Sequence, residues 1–344
     1  MPDTYTSQFS GEEIDAALRA AQIISGADTP AELRKKLEIR GDTIPVSATD
    51  PTPVSEALTA SGGGVNPNLL DNWYFGRPVN QRGQVEYTGN ATYSIDRWRL
   101  QYDTTLSVVD GGIKIGGKWD VQQYFENTLP NATYTLSLLY RDRTGSDSLR
   151  LLAGNRTDGD IAQTESKDAS GILSVTFSTA TANRFNFGFT GSTDNSAIII
   201  AIKLELGDTQ TLARKESGVW MLNEIPDFGE QLRRCQWYCR VYKAGTTLPC
   251  LAYPRPDGGW YASAGIPTNG MRTIPTNNLG DGKKVAITDL DGADATHDDM
   301  SMTNWGQNEN MLCLRISGGS HGVLTSKFPY WIKLKEDLIL SADL

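Results

Sequence analysis

Seven aromatic residues stand among turn formers and polar neighbours, where a sugar could reach them. Trp260 and Tyr261 follow the turn "RPDGG", and Trp305 is flanked by amides in "TNWGQNEN". Tyr330 and Trp331 close "FPYW", while Trp119 and Tyr124 bracket "WDVQQY" just after "GGK". Sugars are bound by aromatic faces together with polar groups that pair with hydroxyls, in shallow clefts. Trp260 and Trp305 meet that need best, because turn residues and amides surround them. The competing expectation for each ring is burial in a core or a subunit interface.

Other chemistries are less well served. "DLDGADATHDD" (289–299) gathers Asp289, Asp291, Asp294, Asp298 and Asp299 around His297. Hard cations want several oxygens from one tight loop, but the glycine and the closing glutamate of an EF-hand are misplaced here. The segment reads as a solvated loop, and no metal is expected. Cys235 and Cys239 fall in the apolar series Phe228, Leu232, Cys235, Cys239, Tyr242 and read as core thiols. Zinc needs closer thiol pairs or suitably spaced histidines, and neither His297 nor His321 supplies them. There is no Gly-x-Ser-x-Gly elbow and no long β-helix period. The chain is therefore expected to be no enzyme and to carry no cofactor. Carboxylates are abundant enough to leave a glycosidase pair as the weakest alternative.

The chain has 344 residues and a formal net charge of −9. That length accommodates two or three domains. An acidic chain repels phosphate backbones, and Arg233/Arg234 and Lys283/Lys284 are isolated pairs, so nucleic acid is not an expected partner. The longest apolar run, "AIIIAI" (197–202), is far too short to cross a membrane and suits a buried strand. The opening "MPDTYTSQFSGEEIDAA" lacks a basic region followed by an apolar one, so it does not read as a secretory signal. The expectation is synthesis in a cytoplasm, with release by lysis or on an assembled particle.

The elements that must position these residues are mostly strands. Residues 1–64 carry helix-start signals at 10–13, 29–32 and 52–58, with Ile14, Ala17, Leu18 and Ala21 on one face. Such short helices need a partner to persist, which suggests oligomer contacts or docking. "SGGG" (61–64) marks a boundary. Residues 65–208 alternate with period two at 134–140, 173–177 and 184–189, and Gly/Asp/Ser/Asn turns separate the runs. That pattern predicts a two-sheet jelly roll. Residues 209–242 read as a connector and a helix over about 227–242. Residues 243–344 read as a smaller β-domain. The fold class is therefore mainly β: short N-terminal helices, a jelly-roll β-sandwich, a linking helix and a C-terminal β-domain.

"NLLDNWYFGRPVNQRG…YSIDRW" resembles the opening of the carbohydrate-binding-module-like jelly roll of phage and prophage tail fibres, and "KLELGDTQT" (203–211) resembles its closing strand. "NEIPDFGEQLRRCQWYCRVY" (223–242) is similar to the helix that follows it there: Gln231, Leu232, Cys235, Gln236 and Tyr238 fit, while Trp237 and Cys239 depart. "GIPTNGMRTIPT" (265–276) resembles a segment of the tip domain, "ILSADL" its last strand, and "FSGEEIDAAL" the N-terminal repeats. The resemblance implies a tail-fibre or receptor-binding protein of a phage, prophage or tailocin-like particle. It further implies a homotrimer that contacts bacterial surface glycan and joins tail or baseplate proteins through its N-terminal segment. The chief alternative is a structural spacer that binds no receptor itself. Trp73, Tyr74 and Phe75 recur with the module's first strand, so they are expected in the core rather than on a platform.

Overall fold

The computed structural model describes residues 45–47, 50–53 and 66–343, except 118, 126–128, 156–158, 180–184, 255–259, 280–282, 289–299 and 319–328. It divides into two units, residues 1–65 and 66–344. In the first, Pro45–Ser47 pairs antiparallel with Asp50–Pro53. The expected helix start at 52 therefore gives way to a strand at Thr52 and Pro53. The helix signals at 10–13 and 29–32 lie outside the described residues.

The second unit is mainly β. Between residues 86 and 206, twelve strands make two six-stranded antiparallel sheets. Sheet I runs in the order Gly159–Ser166, Leu149–Asn155, Phe185–Gly191, Trp119–Phe125, Arg99–Gln101, Thr92–Tyr93. Sheet II runs in the order Gly171–Ser178, Thr133–Thr144, Ser196–Leu206, Gly112–Gly116, Thr104–Val109, Glu86–Gly89. Alternation sends one set of side chains inward from each sheet. Phe185, Phe187 and Phe189 of sheet I meet Tyr134, Leu136, Leu138 and Phe177 of sheet II in one buried cluster.

The segment after residue 66 completes this core. It runs along the part of Ser196–Leu206 that Gly112–Gly116 leaves uncovered: Leu69 N donates to the Leu204 carbonyl at 2.9 Å and Phe75 N to that of Ile200 at 2.8 Å. Trp73 and Phe75 are buried, and Phe75 meets the edge of Trp98 at 5.2 Å between centroids. Tyr74 is half-buried against the same cluster. The aromatic run is thus core. Such offset pairs contribute about 1 kcal/mol beyond the area they bury. Asn72 sits at φ 50°, and its side-chain amide pins the following turn through the Val79 and Asp96 carbonyls and the Val79 N–H.

The connector after residue 208 is more structured than expected. Ala213–Glu216 and Val219–Leu222 form a hairpin, with Trp220 and Leu222 packed on the sandwich. Lys203 and Glu205, both fully buried, tie it down. The Lys203 ammonium is 2.9 Å from Glu224 and 3.6 Å from Glu205, and Glu205 accepts from Thr211 N at 2.7 Å. Buried charges persist only when paired and hydrogen-bonded in this way.

The helix that follows is shorter than its apolar series. It spans Phe228–Gln236, capped by Asp227, whose carboxylate accepts from Glu230 N at 2.8 Å. The expectation of helix to 242 is corrected here. Cys239–Tyr242 is a strand paired with Leu338–Ser341, so backbone pairing at the end of the chain overrides the i, i+4 spacing of Cys235 and Cys239. Burial still holds both thiols protonated, pushing that of Cys239 up to about 12.

Beyond it, six strands close into a barrel in the order Thr247–Pro254, Trp260–Pro267, Met311–Gly318, Met300–Gln307, Lys283–Thr288, Pro329–Leu334. Its interior is filled by Ile266, Met302, Leu312, Leu314, Ile316 and Ile332.

A buried web of charge joins sandwich to helix and barrel. Arg97 Nε lies 3.2 Å from Asp71, and its Nη2 donates to the Tyr124 carbonyl at 3.0 Å. Arg82 bridges Asp96 at 3.5 Å and Asp343 at 3.4 Å. Arg234 reaches Asp71 at 2.6 Å, and Asn72 N donates to Gln231 at 2.7 Å. The residues that carry the family resemblance therefore hold the parts of the fold together.

Candidate functional site

The outward face of sheet I carries a polar cleft of about 560 Å³. Because Val121, Phe187, Phe189 and Leu151 point inward, their neighbours Asp120, Gln122, Thr190 and Arg150 point out. Register brings them side by side: Thr190 stands opposite Asp120 on one flank and Arg150 on the other. Two glycines let the neighbouring strands approach closely. A Cβ on Gly188 would come within 2.2 Å of the Val121 carbonyl oxygen, and one on Gly154 within 2.8 Å of the Asn186 amide.

The cleft's polar groups are oriented. Gln122 donates to both carboxylate oxygens of Asp120 at 2.9 Å and accepts from Asn186 at 3.1 Å. Burial raises the Asp120 carboxyl to about 6, helped by the negative charge of Asp160 and opposed by Gln122 and Arg150. Ser192, also on the wall, has a buried hydroxyl without a hydrogen-bond partner among the described residues. Tyr102 stands at the margin, 51% exposed, at φ 55°. A bulky residue in the left-handed region is an outlier of the sort found where structure serves a site. An exposed ring, a carboxylate, amides, a guanidinium and hydroxyls around one cleft are what a sugar ring with vicinal hydroxyls requires.

The residues singled out from sequence fall in several places. Tyr124 lies on sheet I but is buried, with Arg99 and Gln101 donating to its hydroxyl, so it supports Arg99 instead of offering an open ring face. Trp119 begins the same strand, opposite Gly191 of the cleft; its side chain is outside the described residues. Tyr330 belongs to the barrel core, which corrects its reading as a platform: it alternates with Trp331, and one of the two must point inward.

Trp331 and Trp305 are exposed on the barrel, and Tyr261 lies under Arg315, 3.9 Å from guanidinium carbon to ring centroid. Trp260 starts a barrel strand, and its side chain is outside the described residues. Trp305 borders a hollow of about 390 Å³ with Leu251, Met311 and Cys313. That surrounding is apolar, unlike the amide-rich setting its sequence neighbours suggest. The acidic segment 289–299 lies outside the described residues; among the described ones, no three acidic, histidine or cysteine side chains are grouped to hold a metal.

Sequence reasoning missed Tyr102 and Asp120. Tyr102 in "LQYDT" satisfies the same rule that selected Trp119, an aromatic beside turn formers.

No protein family matches this chain, and no curated protein does. Among solved structures it is similar to CBM4, at 14% identity over 40% of this chain and 99% of that one, with a TM-score of 0.29. It is similar to TmCBM61, solved in complex with β-1,4-galactotriose, at 11% identity over 41% of this chain and 99% of that one, TM-score 0.26. It is also similar to the enzymatically active domain of bacteriophage CBA120 tailspike protein 4, at 12% identity over 40% of this chain and 21% of that one, TM-score 0.25. Scores this low carry no argument about what this chain binds.

Proposed function

We propose that the chain is a tail-fibre or receptor-binding protein of a phage, prophage or tailocin-like particle, and that it holds bacterial surface glycan on the outward face of sheet I. The cleft around Asp120, with its oriented amides and exposed Tyr102, is the observation that carries the glycan part. The ordered set of tail-fibre-like segments supports the setting. On this reading residues 1–64 attach to the particle, the sandwich recognises sugar, and residues 243–344 form the distal tip. The protein is made in the host cytoplasm, assembles as a homotrimer on the particle tail and is freed by lysis.

A shallow sugar site of millimolar affinity contributes only about −4 kcal/mol. Three copies on a trimer, and several trimers on a particle, convert this into firm attachment without new contacts.

The test is pull-down of labelled protein with a broad panel of intact bacteria, before and after periodate oxidation of surface sugars, with Asp120→Asn and Tyr102→Ala alongside. Strain-restricted binding that is lost on oxidation and weakened by both variants supports the reading. Binding to no strain moves the chain to the spacer alternative. One observation favours a second reading. Asp120 titrates near 6 and feels the charge of Asp160, and a raised carboxyl beside a second carboxylate is what glycoside cleavage uses. Release of soluble sugar from capsule, absent with Asp120→Asn, would establish it.

A further inference from the structure

Where the helix and barrel meet the sandwich, a second cleft of about 460 Å³ opens. Its character is opposite to the chain's acidic balance. Arg97, Arg233, Arg234 and Arg240 line it, with Asp71 as the one carboxylate among its lining residues. Asp71 is shared between Arg97 at 3.2 Å and Arg234 at 2.6 Å, and Arg97 also stands 3.8 Å from Asp343. Among the described residues Arg233 pairs only with Glu230, on the exposed helix surface. Arg240 has no ion pair among the described residues. Its guanidinium is held by backbone carbonyls alone, those of Gln236, Pro267 and Asn269 at 3.3, 3.3 and 2.9 Å.

These bonds fix Arg240 in place and leave its charge uncompensated. A positive excess in a cleft with low-dielectric walls focuses potential and concentrates anions. The walls are also aromatic: Phe125 lies on the sandwich side, and Trp237, 47% exposed, on the helix side. Trp237 is immobilised through its backbone, since its N–H bonds the Arg234 carbonyl and its carbonyl accepts from Arg272 N at 2.7 Å. Trp237 is also a position that departs from the resembled helix pattern.

We infer that this cleft binds an anionic sugar unit, its carboxylate or phosphate on Arg234 and Arg240 and its ring against Trp237. The planar guanidinium matches either anion, and the aromatic wall requires a ring beside the charge. The inference rests on the reading of the chain as a glycan binder, yet it concerns a different surface from the sheet I cleft.

The experiment uses the full chain and saturation-transfer NMR with glucuronate, glucose 6-phosphate, glucose, inorganic phosphate and acetate, at two salt concentrations. Variants are Arg240→Gln, Trp237→Ala and, as a control on the other cleft, Asp120→Asn, each first checked for an unchanged melting curve. Glucuronate or glucose 6-phosphate should bind roughly tenfold more tightly than glucose, the worth of a charge-assisted pair. Binding should weaken as salt rises. Arg240→Gln and Trp237→Ala should each lower the preference for the anionic sugar about tenfold, whereas Asp120→Asn, which acts on the sheet I cleft, should weaken charged and neutral sugars alike and keep that preference. Preference for one anionic sugar over the other identifies the anion. Equal binding of charged and neutral sugars, or full binding in Arg240→Gln, overturns the inference. So does equal binding of phosphate or acetate, which would show an anion hole without a sugar. Should Trp237→Ala melt early, Trp237→Phe replaces it. Loss of cell binding in Asp120→Asn with the anionic preference intact separates the fates of the two clefts.

Discussion

Arg97 lies flat over the ring of Tyr238, its guanidinium carbon 3.4 Å from the ring centroid. The two residues belong to different parts of the fold, the sandwich and the link into the barrel. Arg97 is almost wholly buried, and its Nη1 stands 3.8 Å from Asp343.

Arg97→Ala is expected to cost about 2–3 kcal/mol, because Asp71 and Asp343 lose their shared cation and keep only Arg234 and Arg82. Unfolding in urea followed by tryptophan fluorescence checks this. A loss under about 1 kcal/mol would show that the web is incidental. Arg97→Lys should fall between, since lysine keeps the charge and loses the planar stack.

Asp96 makes the same junction sensitive to pH. Burial raises its carboxyl from an ordinary value near 3.8 to about 6, against the pull of the Gln81 backbone and Arg82. The folded protein therefore holds a proton that the unfolded chain releases. Stability from this group is full below about pH 4 and falls as pH rises to about 6, by about 3 kcal/mol in all. Asp343 shifts in the same direction. Urea titrations at pH 4.5 and 7 should show this contribution shrinking, and Asp96→Asn should flatten the difference. An equal slope in Asp96→Asn would refute the assignment.

Glycan binding should follow Asp120 in the opposite sense. The carboxylate is the form that accepts sugar hydroxyls, so binding should rise between pH 5 and 7 with a midpoint near 6. Glycan-coated beads at stepped pH provide the readout, and Asp120→Asn should bind weakly and without a step. Tyr102→Ala should weaken binding at every pH and keep the step.

The barrel aromatics should separate sharply. Trp305 is 67% exposed, so Trp305→Ala should change stability by less than about 0.5 kcal/mol. Tyr330→Ala, emptying the barrel core, should cost about 3–5 kcal/mol. Thermal melts of the two variants decide it, and equal shifts would contradict the assigned faces.

The strands were legible because alternation is a local signal: Tyr134, Leu136 and Leu138, and Phe185, Phe187 and Phe189, mark one face wherever the sheet ends up. Alternation does not say which face is wet, so Tyr124 and Tyr330 read the same as exposed rings. Cys239 continues both a helical spacing and a strand, and only its pairing with Ser341 decides between them. The sheet I cleft was hidden for a deeper reason. Tyr102, Asp120, Arg150 and Thr190 are scattered along the chain and converge only through strand order. The junction web is equally dispersed, from Asp71 to Asp343.

The strand Cys239–Tyr242 enters the barrel and Leu338–Ser341 leaves it, and these two lie paired side by side. The chain between them departs from and returns to one place, touching it midway where Thr276–Asn277 pairs with the other side of Leu338–Ser341, while Arg82, Arg97 and Asp343 hold the seam on the near side. The barrel is consequently a cassette. Another domain exchanged for it would need ends that meet at strand spacing, about 5 Å, and a strand to take the place of Thr276–Asn277 beside Leu338–Ser341.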